Sequence, residues 1–116
     1  MLPVFDEAEL LDRVDHDWEF LADTVEMLST DGRALMAEVC RASDAGDAAA
    51  LSRAAHTLKG MISNFCAPTS QASAFAVEKI GKEGDLSLAP GAVAVLESDL
   101  DALIAALNDF VATRSS

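Results

Sequence analysis

Two cysteines, three prolines, six glycines and no tyrosine leave this chain short of the residues that staple or punctuate a small fold. Two thiols cannot build a disulfide framework; Cys40 and Cys66 both fall in helical patterns and read as free, buried thiols of a reducing compartment. So few Gly and Pro, with no long apolar–polar alternation, argue against strands. No apolar run approaches the length needed to cross a bilayer. The N-terminus lacks the basic segment and apolar stretch of a secretory signal. Positive charge is scarce as well: eight Lys and Arg stand against twenty Asp and Glu, a formal net charge of −12. That balance excludes the basic footprint of a nucleic-acid binder and disfavours anionic membrane surfaces. A Gly-x-x-x-x-Gly-Lys-Ser/Thr phosphate loop is also missing, so no autokinase activity is expected. The composition describes a soluble, acidic, cytoplasmic domain without membrane insertion.

What the chain does contain is helical periodicity. The 116 residues suffice for one domain with one core. Phe5 to Val14 predicts a short helix, N-capped by Asp6, lying over one end of the fold. A long helix is predicted from about Asp17 to Ser43, with Trp18, Leu21, Val25, Leu28, Gly32, Leu35 and Val39 as its apolar seam. Its register survives Thr30-Asp31-Gly32, which favours one helix over two. Gly46 is a stop and Asp47 the next N-cap. The following helix runs to about Asn64, before Ala67-Pro68 breaks it. A fourth is predicted over Thr69 to Lys82, burying Ala76, Val77 and Ile80. The last begins at Pro90, with Val93, Leu96, Leu100, Leu103, Leu107 and Phe110 as its seam. Long seams with short connections predict an all-α fold: an antiparallel up-down four-helix bundle with a short extra N-terminal helix. The terminal Met1-Leu2-Pro3 and Ser115-Ser116 read as trimmed linkers, so residues 1–116 are taken as a single domain, either excised from a longer protein or standing alone.

The middle of the chain, Ala55-His56-Thr57-Leu58-Lys59-Gly60, carries the chemistry. On its helix, Ala48, Leu51, Ala55, Leu58, Ile62 and Phe65 form the core seam. Ser52, His56, Lys59, Gly60 and Ser63 lie on the other face. His56 is therefore expected to face solvent. Imidazole is a nucleophile near neutral pH, and a Lys one turn on offers a cation to an anionic group carried by the ring. Gly60 costs its helix roughly 1 kcal/mol relative to Ala, which implies a close approach to the backbone. A mid-helix His is ordinarily a plain surface or core residue. The triple His-x-x-Lys-Gly weakens that reading without removing it.

The same residues, with Asn64 and Ala67, resemble the signature of the histidine-containing phosphotransfer (HPt) domain family. Ala45-Gly46-Asp47 with Leu51 upstream, and Val77-Glu78 with Gly84-Asp85 downstream, extend the resemblance from about Val4 to Val111. Met61, Ile62 and Cys66 depart from it, since small residues usually follow the Lys-Gly pair and a Gly usually stands at the position of Cys66. The resemblance implies a four-helix bundle that carries phosphoryl groups between receiver-domain aspartates and a histidine. It makes His56 the phosphoacceptor, Lys59 the residue that steadies phosphoryl oxygens, and Gly60 the opening through which a receiver closes. It also implies that Glu78 accepts a hydrogen bond from Nδ1 of His56 and orients the ring, leaving Nε2 to attack. On spacing alone, a solvated carboxylate or an i,i+4 partner of Lys82 reads as well as that orienting role. Its replacement by Ala is expected to leave stability nearly unchanged and to weaken or redirect His56 protonation.

The implied partners are receiver (response-regulator) domains, with no nucleic acid and no small-molecule substrate. No cofactor is expected in this domain; Mg2+ belongs to the receiver's own carboxylates. Phe20 and Met61 are candidates for an apolar docking patch. A bundle metal centre would require Glu-x-x-His pairs facing inward, whereas His56 has Arg53 and Lys59 a turn to either side. His16, between Asp15 and Asp17, reads as a surface residue. Two other readings stand beside phosphorelay transfer. One is a receiver-binding bundle that is never phosphorylated; the other is the N-terminal phosphoacceptor module of a chemotaxis-type histidine kinase.

Overall fold

The computed structural model describes residues 4–115, with side chains to residue 113. These residues form six α-helices and no strand: α1 Glu7–Arg13, α2 Trp18–Met27, α3 Arg33–Ala45, α4 Ala48–Ile62, α5 Pro68–Glu83 and α6 Ala89–Ser115. Three begin on the same device. The carboxylates of Asp6, Asp17 and Asp47 accept from the backbone N–H groups of Glu9, Phe20 and Ala50 at 3.1, 3.0 and 3.0 Å. Each satisfies a donor that the first helical turn leaves unpaired. Between α3 and α4 the chain reverses through Gly46 in the left-handed region, at φ 70°. Asp47 N–H then bonds back to the Ala42 carbonyl.

The predicted long helix is continuous, but α2 and α3 are joined by a π-helical turn, Leu28–Gly32. Its wider turn holds one residue more than an α-turn. Consequently the buried stripe runs Leu21, Val25, Leu28, Gly32, Met36 and Val39, with Met36 in the place expected for Leu35. Ser29 and Thr30 hydroxyls donate to the Val25 and Glu26 carbonyls, occupying acceptors beside the turn.

On α4 the expected seam is observed: Leu51, Ala55, Leu58 and Ile62 are buried, and Phe65 follows on a 3-10 turn, Ser63–Phe65. Ala48, at the head of that seam, is only half-buried. The inward face of α5 is not the expected one. Ser70, Ala74, Val77, Glu78 and Gly81 are buried, while Ala76 is exposed and Ile80 half-buried. Two polar residues and a glycine on that face hide it from any search for apolar spacing.

α4 packs between α3 and α5; α6 closes the core against α5, α2 and α3. At 1.5 Å per residue, the 27 residues of α6 run most of the molecule's 46 Å length. Its buried side chains include Val93, Leu96, Leu100, Leu103, Ile104 and Leu107. At one end Phe110 packs tilted against Trp18 and edge-on to Phe5, at 5.0 and 5.3 Å between centroids. α1 is tied to the segment after α4 by Asp6 N–H to the Cys66 carbonyl and Arg13 to the Ser63 carbonyl, both at 2.9 Å. Among the described residues no helix is long and apolar enough to cross a membrane.

Candidate functional site

Because α4 buries Leu51, Ala55, Leu58 and Ile62, the opposite face must carry His56 outward, and its side chain is 67 % exposed. Across the groove α5 presents Glu78, whose side chain is 2 % exposed. The two meet at 2.9 Å, His56 Nδ1 to Glu78 Oε2. Lys82, one turn along α5, reaches the same oxygen at 3.1 Å. The other oxygen, Oε1, has the Lys59 ammonium 2.7 Å away. Lys59 is thus the ionic partner of Oε1, as Lys82 is of Oε2. Lys59 also lies over the Phe75 ring, 5.0 Å from its centroid.

These cations determine the charge state of Glu78. The Lys59 ammonium is the largest cause holding its carboxyl down; burial opposes it, and Lys82 and His56 add to the lowering, which brings the pKa to about 2. An ionised carboxylate can only accept a hydrogen bond. The proton in the 2.9 Å contact therefore belongs to Nδ1 of His56, which leaves Nε2 of the neutral ring with its lone pair. Sequence spacing offered Glu78 as an orienting acceptor, a solvated residue or a partner of Lys82. It is an acceptor and a Lys82 partner at once, and it is not solvated. The expectation that Glu78→Ala is nearly neutral is corrected accordingly: removing the carboxylate takes away the shared counter-charge of two lysines.

Gly60 is exposed on α4, and a Cβ built on it would meet nothing within 4 Å. No internal packing requires a glycine there. Phe20 is 56 % exposed and borders a groove with Leu10, Arg13 and Asn64, whereas Met61 packs partly into the core. Two residues of this region, Phe75 and Gly81, escaped the sequence reading. Phe75 is 53 % exposed; a lone aromatic off the apolar seam was its only mark. Lys82 was read as an i,i+4 partner of Glu78, and that pair is observed. Gly81 is buried inside α5, and a mid-helix glycine one turn after Glu78 was the sign of it. Residues 48–77 contain no Asp or Glu, in a chain that has twenty. Burial, the largest cause, raises the thiols of Cys40 and Cys66 above their ordinary value and keeps them protonated. Among the described residues no three His, Cys, Asp or Glu side chains converge on a possible metal position.

Fold and site together define an all-α domain in which a solvent-facing imidazole, that of His56, has its inner nitrogen held by a buried carboxylate. The Hpt domain family model matches residues 19–106, and the chain belongs to that family, whose members perform histidine phosphotransfer in the phosphorelays of two-component signalling. The resemblance carried by residues 55–60 is thus confirmed. Hpt domains are phosphocarriers rather than catalytic enzymes, and they interact with receiver domains. Among solved structures the chain is similar to histidine-containing phosphotransfer protein B (HptB) from Pseudomonas aeruginosa PAO1, at TM-score 0.89 and 21 % identity, covering 97 % of this chain and 98 % of that one. At that identity the likeness speaks to the fold. No curated protein matches the chain.

Proposed function

We propose that His56 is the residue that carries phosphate, accepting a phosphoryl group on Nε2 from the aspartyl phosphate of one receiver domain and passing it to another. The observation that supports this is the pairing of a solvent-facing imidazole with a buried carboxylate at 2.9 Å. In the transfer, the Nε2 lone pair forms the N–P bond as the bond from phosphorus to the aspartyl oxygen breaks. The Nδ1 proton stays between ring and carboxylate. The ring gains positive charge as the bond forms, and Glu78 stands where that charge is stabilised. Lys59 steadies the phosphoryl oxygens, Gly60 admits the receiver, and Mg2+ is supplied on the receiver's carboxylates. Positioning and charge suffice for such a step, so the domain needs neither autokinase activity nor a small-molecule substrate.

In this reading the chain is one cytoplasmic domain. Its helices form an antiparallel up-down four-helix bundle, α2 and α3 counting as one, with α1 as the extra N-terminal helix. The packing of α4 between α3 and α5, and of α6 against α5 and α2, favours that arrangement.

Incubation with receivers carrying labelled phosphate tests the proposal. Label should move to the wild-type domain and fail to move to His56→Gln. A wild type that binds receivers without gaining label is instead an interaction module.

A further inference from the structure

Gly81 lies on α5, one turn beyond Glu78. A Cβ placed on it would fall 2.7 Å from the Ser52 nitrogen, 2.9 Å from the Ala48 carbonyl oxygen and 2.9 Å from Ser52 Cβ. Two of those atoms are α4 backbone, so no change of rotamer relieves the clash; the helices themselves must part. Gly32 differs, since its Cβ would meet the mobile end of Leu28 at 3.0 Å, and Gly60 and Gly91 have open space. Among the described residues, only at Gly81 do two helices touch through a missing side chain with backbone on the other side.

The place of that contact matters. Ser52 is one turn before His56 on α4, and Gly81 one turn after Glu78 on α5. The pairs Ser52–Gly81 and His56–Glu78 therefore sit one above the other on two helices running in opposite senses. A glutamate has a fixed reach, and here it must bring one oxygen to 2.9 Å from Nδ1 and the other to 2.7 Å from Lys59. Restoring ordinary contact for a methyl at Gly81 would separate the helices by about 0.7 Å. A shift of that size takes a 2.9 Å hydrogen bond beyond bonding length.

We propose that Gly81 is a positioning residue: by letting α5 rest on the α4 backbone, it sets the gap across which Glu78 holds the imidazole of His56. Its effect on transfer rests on the phosphocarrier reading of His56; its effect on the ring does not.

The test is Gly81→Ala, read first by 15N NMR of His56 in alkaline buffer. Wild type should show Nδ1–H as the main tautomer, and Gly81→Ala should shift population toward Nε2–H. Transfer from a phosphorylated receiver, at saturating receiver, should slow roughly tenfold or more. In the Glu78→Gln background the same substitution should add almost nothing, because the two act through one contact. Leu103→Ala, a core truncation on α6 that lowers the melting temperature, should leave the tautomer as it is. Should Gly81→Ala fail to fold, Ser52→Val adds bulk on the α4 side of the same contact and takes the same readings. An unchanged tautomer in a folded variant overturns the proposal, as does equal slowing with and without Glu78. If Glu78→Gln alone leaves transfer unchanged, the role given to Glu78 fails, and the tautomer reading still decides the role of Gly81.

Discussion

Glu78 has two oxygens and three partners, and it is the buried member of every pair it makes. Its pKa in the folded protein, about 2, lies below the ordinary 4.5. The stabilisation it provides is therefore complete above about 4.5 and is lost as pH falls through about 2. A depression of that size corresponds to on the order of 3 kcal/mol. His56 and Lys82 are about two-thirds exposed, so solvent screening brings the expected contribution to about 1–2 kcal/mol. Urea denaturation across this acid range should show wild type losing that much, and Glu78→Gln following a flatter limb. Lys59→Ala removes the largest cause of the depression. It should slow transfer about tenfold while the helical circular dichroism stays unchanged; loss of the helical signal would place Lys59 in the fold rather than at the site. Cys66 is a different kind of residue, an L-amino acid at φ 55° where a left-handed conformation costs about 1–2 kcal/mol. Cys66→Gly should accordingly be more stable than Cys66→Ala by about 1 kcal/mol in chemical denaturation.

At the level of the element, carboxylate caps, seams and stops were readable because each depends on a few neighbouring residues. Asp6 and Asp47 cap the helices they were expected to cap, and Gly46 ends α3 in the left-handed region. Asp47→Ala should cost about 1 kcal/mol, measured as a drop in the urea midpoint at constant slope. Apolar spacing failed where burial does not depend on apolarity. On α5 the face toward α4 includes Glu78, buried because cations on two helices compensate it, and Gly81, buried because a backbone lies against it. Apart from Lys82, those partners lie on α4 and leave no mark in the sequence around them. The step from Leu35 to Met36 has a similar origin: one extra residue in the π-turn leaves no mark on periodicity until the helix must fit against Leu58. Of the site, His56, Lys59 and Gly60 were legible as a motif on one helix. The Glu78 contact that joins them to α5 came from the resemblance and not from spacing, because it is made by packing.

The whole molecule carries a formal charge of −12, and like charges at that density repel one another in the compact state. Raising salt from about 10 to 150 mM shortens the range of that repulsion and should raise the melting temperature; a fall would mean that attractive pairs dominate the surface. Carboxylates are spread along α1 to α3 and α6 but absent from residues 48–77, so the stretch bearing His56 interrupts an otherwise acidic envelope. The empty space above Gly60 belongs to this outward face. In the proposed reading a receiver closes there, and because no described residue packs against that position, the fit of such a visitor can be tuned without disturbing how the chain folds.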